Sequence, residues 1–338
     1  MTTELLNVEQ LRTHFFTEKG TVTAVDDVSF TIHEGEIVGL VGESGCGKSV
    51  TSQSIMRLYD EYMVEYEGKI EFNGDNLLNY PIKKMQKIRG DAISMIFQDP
   101  LSSLNPVFTI GKQIAEPLML HHKKSKKEAY ERAVELLALT GIPSPEKRVH
   151  EYPHQLSGGM RQRAMIAVTL ACEPKLLIAD EPTTALDVTI QAQILNLMRD
   201  LNKKLQMGII FITHDLGVVA ELCDRVMVMY LGQIVEEADV KTLFEKPLHP
   251  YTRGLIKSIP QMTGERKLEL SVIKGNVPSL TNKPKGCRFS TRCEFADEKC
   301  LEEMPPLKTH SDTKKVRCWH YEEIIAREEG GHVHASST

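Results

Sequence analysis

The chain has 338 residues, 41% of them hydrophobic, enough to bury one large core with an appendage. Its formal net charge of -5 argues against a nucleic-acid partner, which calls for a basic excess or stripe. No apolar run reaches the roughly 20 residues that a membrane-spanning helix needs, and MTTELLNVEQ has no basic segment leading into an apolar one, so neither a span nor a secretory signal is expected.

The chain is therefore expected in the cytosol, with any membrane role supplied by a partner. Seven cysteines in a reducing compartment are not expected to pair as disulfides. Cys46, Cys172 and Cys223 stand apart and read as core or loop residues.

The first strand signal is Glu36–Val41 (EIVGLV). It runs into Gly42-Glu-Ser-Gly-Cys-Gly-Lys48-Ser49, which fits the phosphate-loop pattern G-x-x-x-x-G-K-[ST] between a strand-like and a helix-like stretch. The glycines let backbone N–H groups approach phosphate oxygens, and the following helix points its positive end at the anion. Lys48 is placed to reach the β/γ phosphates, and the Ser49 hydroxyl to coordinate Mg²⁺. A second run, Ala92–Phe97 (AISMIF), ends beside Gln98.

Residues 100–155 differ in character: IGKQIAEPLML and EAYERAVELLALTGI are helical in pattern and carry no strand signal. They read as a helical subdomain inserted into an α/β core, with the Lys-rich stretch His122–Lys127 on a solvated helix face. Leu156–Gln162 reads LSGGMRQ; Ser157, Gly158 and Gly159 before a helix make a second anion cradle by the same physics as the first.

The run Leu176–Ala179 ends in Asp180 and Glu181 (LLIADEP). A carboxylate at a strand tip can hold Mg²⁺, and its neighbour can polarise an attacking water as general base. Thr189–Leu205 places Ile190, Ile194, Leu197 and Leu201 at helical spacing; Gly208–Thr213 and Arg225–Met229 are the last strand runs, and His214 follows the first of them. Apolar strands alternating with helices predict an α/β fold whose parallel sheet is covered on both faces.

After about residue 240 prolines recur, and Cys287, Cys293, Cys300 and Cys318 form a C-x5-C-x6-C-x17-C set. Residues 241–325 read as a small C-terminal domain, and 326–338 as a disordered tail. Four thiolates are the ligand complement of a [4Fe–4S] cluster or a structural Zn²⁺ site. Zinc sites usually pair ligands at C-x2–4-C spacing, which this set lacks, so the cluster is the first reading, with zinc and free thiols as alternatives.

LSGGMRQ resembles the LSGGQ signature of ABC ATPases, with Met160 where Gln is most common. The resemblance spans residues 1 to about 320 and implies an ABC nucleotide-binding domain over 1–240. It also implies two subunits paired head to tail. Each ATP would lie between one subunit's phosphate loop (Gly42, Ser44, Gly45, Cys46, Gly47, Lys48, Ser49) and the other's signature (Ser157, Gly158, Gly159). Gln98 then matches the Q-loop glutamine, which contacts Mg²⁺ or water. Ala185-Leu186-Asp187 matches the D-loop at the dimer interface, and His214 the switch histidine that holds the γ-phosphate and water. The resemblance implies Mg²⁺ on Ser49, Gln98 and Asp180, catalysis by Glu181 with His214, Gln98 and Lys48, and an aromatic stacked on adenine, Phe16 or alternatively Phe15.

KPLHPYTR (Lys246–Arg253), with LIKSIP, GNVPSL and GCRFSTRC after it, resembles the C-terminal region of peptide-importer ATPases, which related nickel importers share. This implies a peripheral subunit at the cytoplasmic face of the cell membrane that hydrolyses ATP to energise di- and oligopeptide import. Its partners would be a second ATPase subunit (a related chain or a copy), two membrane-spanning permeases and an extracytoplasmic peptide-binding protein. Nickel or another small solute is the alternative cargo. A non-transport ABC protein would show paired ATPase domains or long coiled coils, and neither is evident.

Overall fold

The computed structural model describes residues 3–98, 103–184, 187–259, 273–311 and 313–331. Strands β1 (Glu4–Thr17) and β2 (Gly20–His33) form a long antiparallel hairpin. Strand β3 (Ile37–Val41) leads through the phosphate loop into helix α1 (Lys48–Ile55). Strands β4 (Val64–Phe72) and β5 (Asp75–Asn76) then join the hairpin in a four-stranded sheet of order β2-β1-β4-β5. The sequence reading does not place this sheet.

The second sheet has eight strands. After helix α2 (Ile82–Ile88) come β6 (Ile93–Ile96), β7 (Leu176–Asp180), β8 (Gly208–Thr213) and β9 (Arg225–Tyr230), which with β3 make the parallel part in the order β9-β3-β8-β7-β6. These are the five runs predicted from sequence. β10 (Gln233–Asp239) turns back antiparallel to β9, and β11 (Lys308–Ser311) and β12 (Lys314–Val316) add to its outer edge. The C-terminal region is thus hydrogen-bonded into the sheet of the ATPase core, through Glu236 opposite Val316 and Glu237 opposite Lys315.

Period-two alternation divides each central strand between two cores. Ile209 and Phe211 of β8 face the helices, whereas Ile210 and Ile212 face the antiparallel sheet, where they join Leu6, Val8, Phe30, Ile32 and Ile70. Burial on both faces explains why these strands read as continuous apolar runs.

The inserted subdomain is helical, and no strand occurs among its described residues. Helix α3 (Ile110–His121) sets Ile114, Ala115 and Leu118 in one buried cluster with Ala129, Ala133, Leu136 and Leu137 of α4 (Lys126–Leu139). A Ser125–Glu128 capping box starts α4. The basic stretch 122–127 is solvated as expected, but it spans the turn between these helices and the first turn of α4, where the N-cap interrupts the expected helix face.

Helices α5 (Pro145–Arg148), α6 (Gly158–Thr169), α7 (Val188–Leu205), α8 (Leu216–Leu222), α9 (Val240–Glu245), α10 (Pro250–Lys257), α11 (Glu298–Glu302) and α12 (Tyr321–Gly331) complete the chain. Helix α12 runs from Tyr321 to Gly331, into the segment 326–338 read from sequence as a disordered tail, and 332–338 lie outside the described residues. No described helix is long and apolar enough to cross a membrane.

Candidate functional site

The phosphate loop leaves β3 at Gly42, whose φ of 156° and setting suit only glycine: a Cβ there would lie 2.2 Å from the carbonyl oxygen of Met229. The loop therefore packs backbone to backbone on β9. Lys48, 5% exposed, lies over the loop and donates from Nζ to the carbonyls of Gly42 (2.8 Å) and Glu43 (3.1 Å). Cys46 is fully buried beneath it, and burial pushes its thiol pKa up. That loop cysteine is neutral packing, in keeping with the sequence reading.

Parallel strand order carries the remaining polar groups to the same sheet end. β7 delivers Asp180, whose Oδ1 accepts from the Ser49 hydroxyl at 3.2 Å. Burial raises the Asp180 pKa and the neighbouring Glu181 charge adds to this, while the Ser49 hydrogen bond and Lys48 oppose it. A carboxylate held so close to a hydroxyl under an ammonium has the chemistry of a divalent-cation seat.

Glu181 follows with φ of 47°, left-handed backbone that a non-glycine residue adopts under local constraint. Its N–H donates to the Ile212 carbonyl at 2.9 Å, fixing the turn against β8. Its carboxylate accepts from Gln98 Nε2 (2.9 Å) and the Thr184 hydroxyl (3.0 Å), and lies 3.4 Å from His214 Nδ1. Lys48, Ser49, Gln98, Asp180, Glu181 and His214 are thus gathered at one end of the sheet. Thr184 was missed, although a hydroxyl three residues beyond a carboxylate at a turn is a legible signal.

The signature residues lie elsewhere. Ser157 caps α6, its Oγ accepting from Met160 N at 3.4 Å, and Gly158 and Gly159 form the first turn. They line an open depression of about 440 Å³ with Arg163, Asp187 and Ile190, and no phosphate-loop residue takes part. Gln162, 1% exposed, donates to the Pro182 carbonyl and so links this helix to the carboxylate turn. Asp187 caps α7 by accepting from Ile190 N at 2.9 Å. Its neighbours Ala185 and Leu186 lie outside the described residues.

Phe16 is half exposed near the end of β1, whereas the Phe15 ring packs edge-on to Tyr59 at 4.8 Å. A 2.9 Å bond between Thr13 Oγ1 and Ser54 Oγ ties the same strand to α1.

Cys287, Cys293, Cys300 and Cys318 carry free thiols. Burial pushes Cys293 and Cys300 up to about 11 and Cys318 to about 12, and Cys287 N donates to the Cys300 carbonyl at 2.8 Å. A single zinc at 2.3 Å would hold thiolates about 3.8 Å apart. Among the described residues the groups within 4.8 Å are instead Asp297–Cys300–His320 and Asp91–His122–Cys172.

This sheet end, with its phosphate loop, paired carboxylates and separate second cradle, defines an ATP-hydrolysing protein of the ABC type. The ABC transporter family model matches residues 25–184, and the oligopeptide/dipeptide transporter C-terminal region matches 235–300. The chain is 55% identical over 320 residues to the oligopeptide transport ATP-binding protein AppD of Bacillus subtilis (strain 168), covering 94% of this chain and 97% of that one. It is 52% identical over 322 residues to the probable peptide ABC transporter ATP-binding protein y4tR of Sinorhizobium fredii, covering 95% and 96%. A solved dimer of the ATP-binding cassette MJ0796, bound to ADP and Pi in a post-hydrolysis state, superposes with a TM-score of 0.63 at 28% identity, over 70% of this chain and 99% of that one. The chain belongs to the ABC transporter family, in the branch that carries the oligopeptide/dipeptide transporter C-terminal region.

Proposed function

We propose that this chain is the ATP-binding and ATP-hydrolysing subunit that energises import of di- and oligopeptides across the cell membrane. The observation that carries the cargo class is the near-full-length similarity to chains named as oligopeptide transport ATP-binding proteins. The chemistry rests on the sheet-end cluster. Ser49 and Asp180 are spaced to hold Mg²⁺, and Gln98, with its Nε2 engaged by Glu181, keeps Oε1 for the cation or its water. Lys48 neutralises the phosphates, and Glu181 takes a proton from the attacking water. His214, whose Nδ1 lies 3.4 Å from that carboxylate, would hold the γ-phosphate and the water. Hydrolysis is then mostly positioning and electrostatics.

A second ATPase subunit supplies its signature across a head-to-tail interface, because the chain's own signature lines a separate depression. ATP closes this dimer, hydrolysis reopens it, and the motion passes to two permease subunits fed by an extracytoplasmic binding protein. The chain sits peripherally at the cytoplasmic face.

The four cysteines would hold a [4Fe–4S] cluster as a structural or sensing element. The irregular, long C-x5-C-x6-C-x17-C spacing, without the C-x2–4-C pairs usual at zinc sites, favours that cluster over zinc. Anaerobic protein should be brown and contain iron and sulfide; colourless protein with stoichiometric zinc would overturn the assignment.

Uptake of labelled di- and oligopeptides and of nickel, in cells whose only copy carries Glu181→Gln, tests the cargo. Loss of peptide uptake alone is expected. Loss of nickel uptake alone would move the cargo to metal.

A further inference from the structure

Glu43, the second residue of the phosphate loop, is held from three sides. Its carbonyl accepts from Lys48 Nζ at 3.1 Å, inside the loop. Its N–H donates to the hydroxyl of Tyr251, a fully buried residue of α10, at 2.8 Å. Its carboxylate accepts both terminal nitrogens of Arg292, at 2.6 and 3.1 Å. The last two partners belong to the C-terminal region, more than 200 residues away in sequence.

Arg292 is built into place. Its side chain is 3% exposed, against 28% for that of Glu43. Nε donates to the Lys274 carbonyl at 3.1 Å, and Nη2 also reaches the Ile273 carbonyl at 3.3 Å. The guanidinium lies 5.8 Å from the Tyr230 ring centroid and 5.9 Å from that of Phe289. Those two rings and Tyr251 pack against one another at 4.7 to 5.4 Å. A planar fork fixed by carbonyls and ring faces loses little entropy when it grips a carboxylate, which a lysine at the same place would not match.

We propose that Arg292 is a positioning residue of the nucleotide site, which sets the phosphate loop and cancels the Glu43 charge so that the loop can accept a polyphosphate. Two effects follow from the geometry. The first is mechanical: the Glu43 carbonyl is one of two that hold the Lys48 ammonium, so a shift at Glu43 moves the charge that meets the phosphates. The second is electrostatic: an uncompensated carboxylate in the loop repels the triphosphate it should bind. Arg292 reaches the loop through the Glu43 carboxylate, so its loss falls first on affinity and only secondarily, through Lys48, on the chemical step. Because it directly precedes Cys293, the segment that bears the clustered thiols is also the segment that braces the loop.

This inference rests on residues 42–49 being the nucleotide loop, and wild-type binding of a fluorescent ATP analogue checks that reading first. Failure of the wild type to bind would sink the reading itself. The full-length variants Arg292→Met, Arg292→Lys and Glu43→Gln/Arg292→Met are then compared for nucleotide Kd, for KM and kcat of ATP hydrolysis, and for Tm and iron content. Arg292→Met should raise Kd and KM by about 10–100-fold, the scale on which groups that orient a ligand-holding residue act, with saturated kcat within about twofold. Removing the orphaned charge in the double variant should recover much of the affinity, and Arg292→Lys should fall between. Should Arg292→Met not fold, Arg292→Lys carries the test by the same KM-against-kcat split. Folded Arg292→Met, or Arg292→Lys in its place, with wild-type Kd and KM would overturn the proposal. A fall in kcat with Kd unchanged would overturn it equally.

Discussion

Gln98 and Glu181 meet across the ends of two neighbouring parallel strands, the amide Nε2 donating to the carboxylate at 2.9 Å. Each sits just past its strand, so the sheet itself sets their separation, and Thr184 and His214 complete the ring of side chains around the carboxylate. Replacing Glu181 by Gln keeps the shape and removes the base. Turnover should fall by about 10²–10⁴-fold while ATP still binds. Single-turnover hydrolysis beside equilibrium nucleotide binding decides the matter; near-normal turnover would remove Glu181 from the role.

Two of the three phosphate-loop glycines, Gly42 and Gly45, make opposite demands. Gly42→Ala drives a methyl into the Met229 carbonyl, while Gly45→Ala meets nothing within 4 Å and strains only the backbone, at φ of 77°. Gly45→Ala should cost about 1–2 kcal/mol. Gly42→Ala should cost more and also abolish ATP binding, because relief of the clash moves the loop off β9. Urea unfolding and nucleotide titration of both variants separate the two.

His249 is buried, its Nδ1 accepts from Tyr251 N at 3.1 Å, and burial drops its pKa to about 3. In the unfolded chain the imidazole titrates near 6.5. Above that pH it is neutral in both states and costs nothing. Below it the unfolded state takes up the proton first, so stability falls toward pH 3 with a slope approaching about 1.4 kcal/mol per pH unit. Glu236, which accepts from His249 N, has its pKa raised by burial and pulls the opposite way at acid pH. The variant His249→Asn keeps an acceptor for Tyr251 N and should lose the histidine's share of the slope. Unfolding free energies of both proteins at pH 7.5 and pH 5.5 measure that share; parallel curves would contradict it.

Phe16 carries half its surface to solvent and Phe15 does not pack that way. Phe16→Ala should leave Tm nearly unchanged and weaken ATP binding by about 1–3 kcal/mol, the range for a base stacked on an aromatic ring. Phe15→Ala should instead lower Tm through the lost contact with Tyr59. A reversal of the two effects would move the adenine platform to Phe15.

The five parallel strands were legible because burial on both faces writes them as unbroken apolar runs, as in IVGLV of β3. The antiparallel sheet was not. β1 shifts register between Val8 and Leu11 and again between Leu11 and Thr13, with Gln10 at φ of 46°, so its period-two pattern slips midway. Strand β4, VEYEGKIEF, carries four charged residues on a half-solvated sheet. The same contrast holds at the site. Asp180, Glu181, Gln98 and His214 each end or closely follow a strand run, and Lys48 opens the helix after the phosphate loop, so all could be read locally. The grip of Arg292 on Glu43 spans 249 residues and leaves no local pattern.

The strands β11 and β12 give the chain a seam close to where a domain boundary was expected. Lys314, 3% exposed, lies 3.7 Å from the fully buried carboxylate of Glu236, and Arg317 N donates to the Val235 carbonyl. A chain ended near residue 240 would keep every nucleotide motif yet carry an uncovered strand edge and an orphaned internal charge. Grafting a foreign C-terminal region onto this ATPase would therefore require a replacement strand in register with Glu236 and Glu237 and a cation at its start. A shuffled gene that met neither condition would leave that strand edge open and the Glu236 carboxylate buried without its cation.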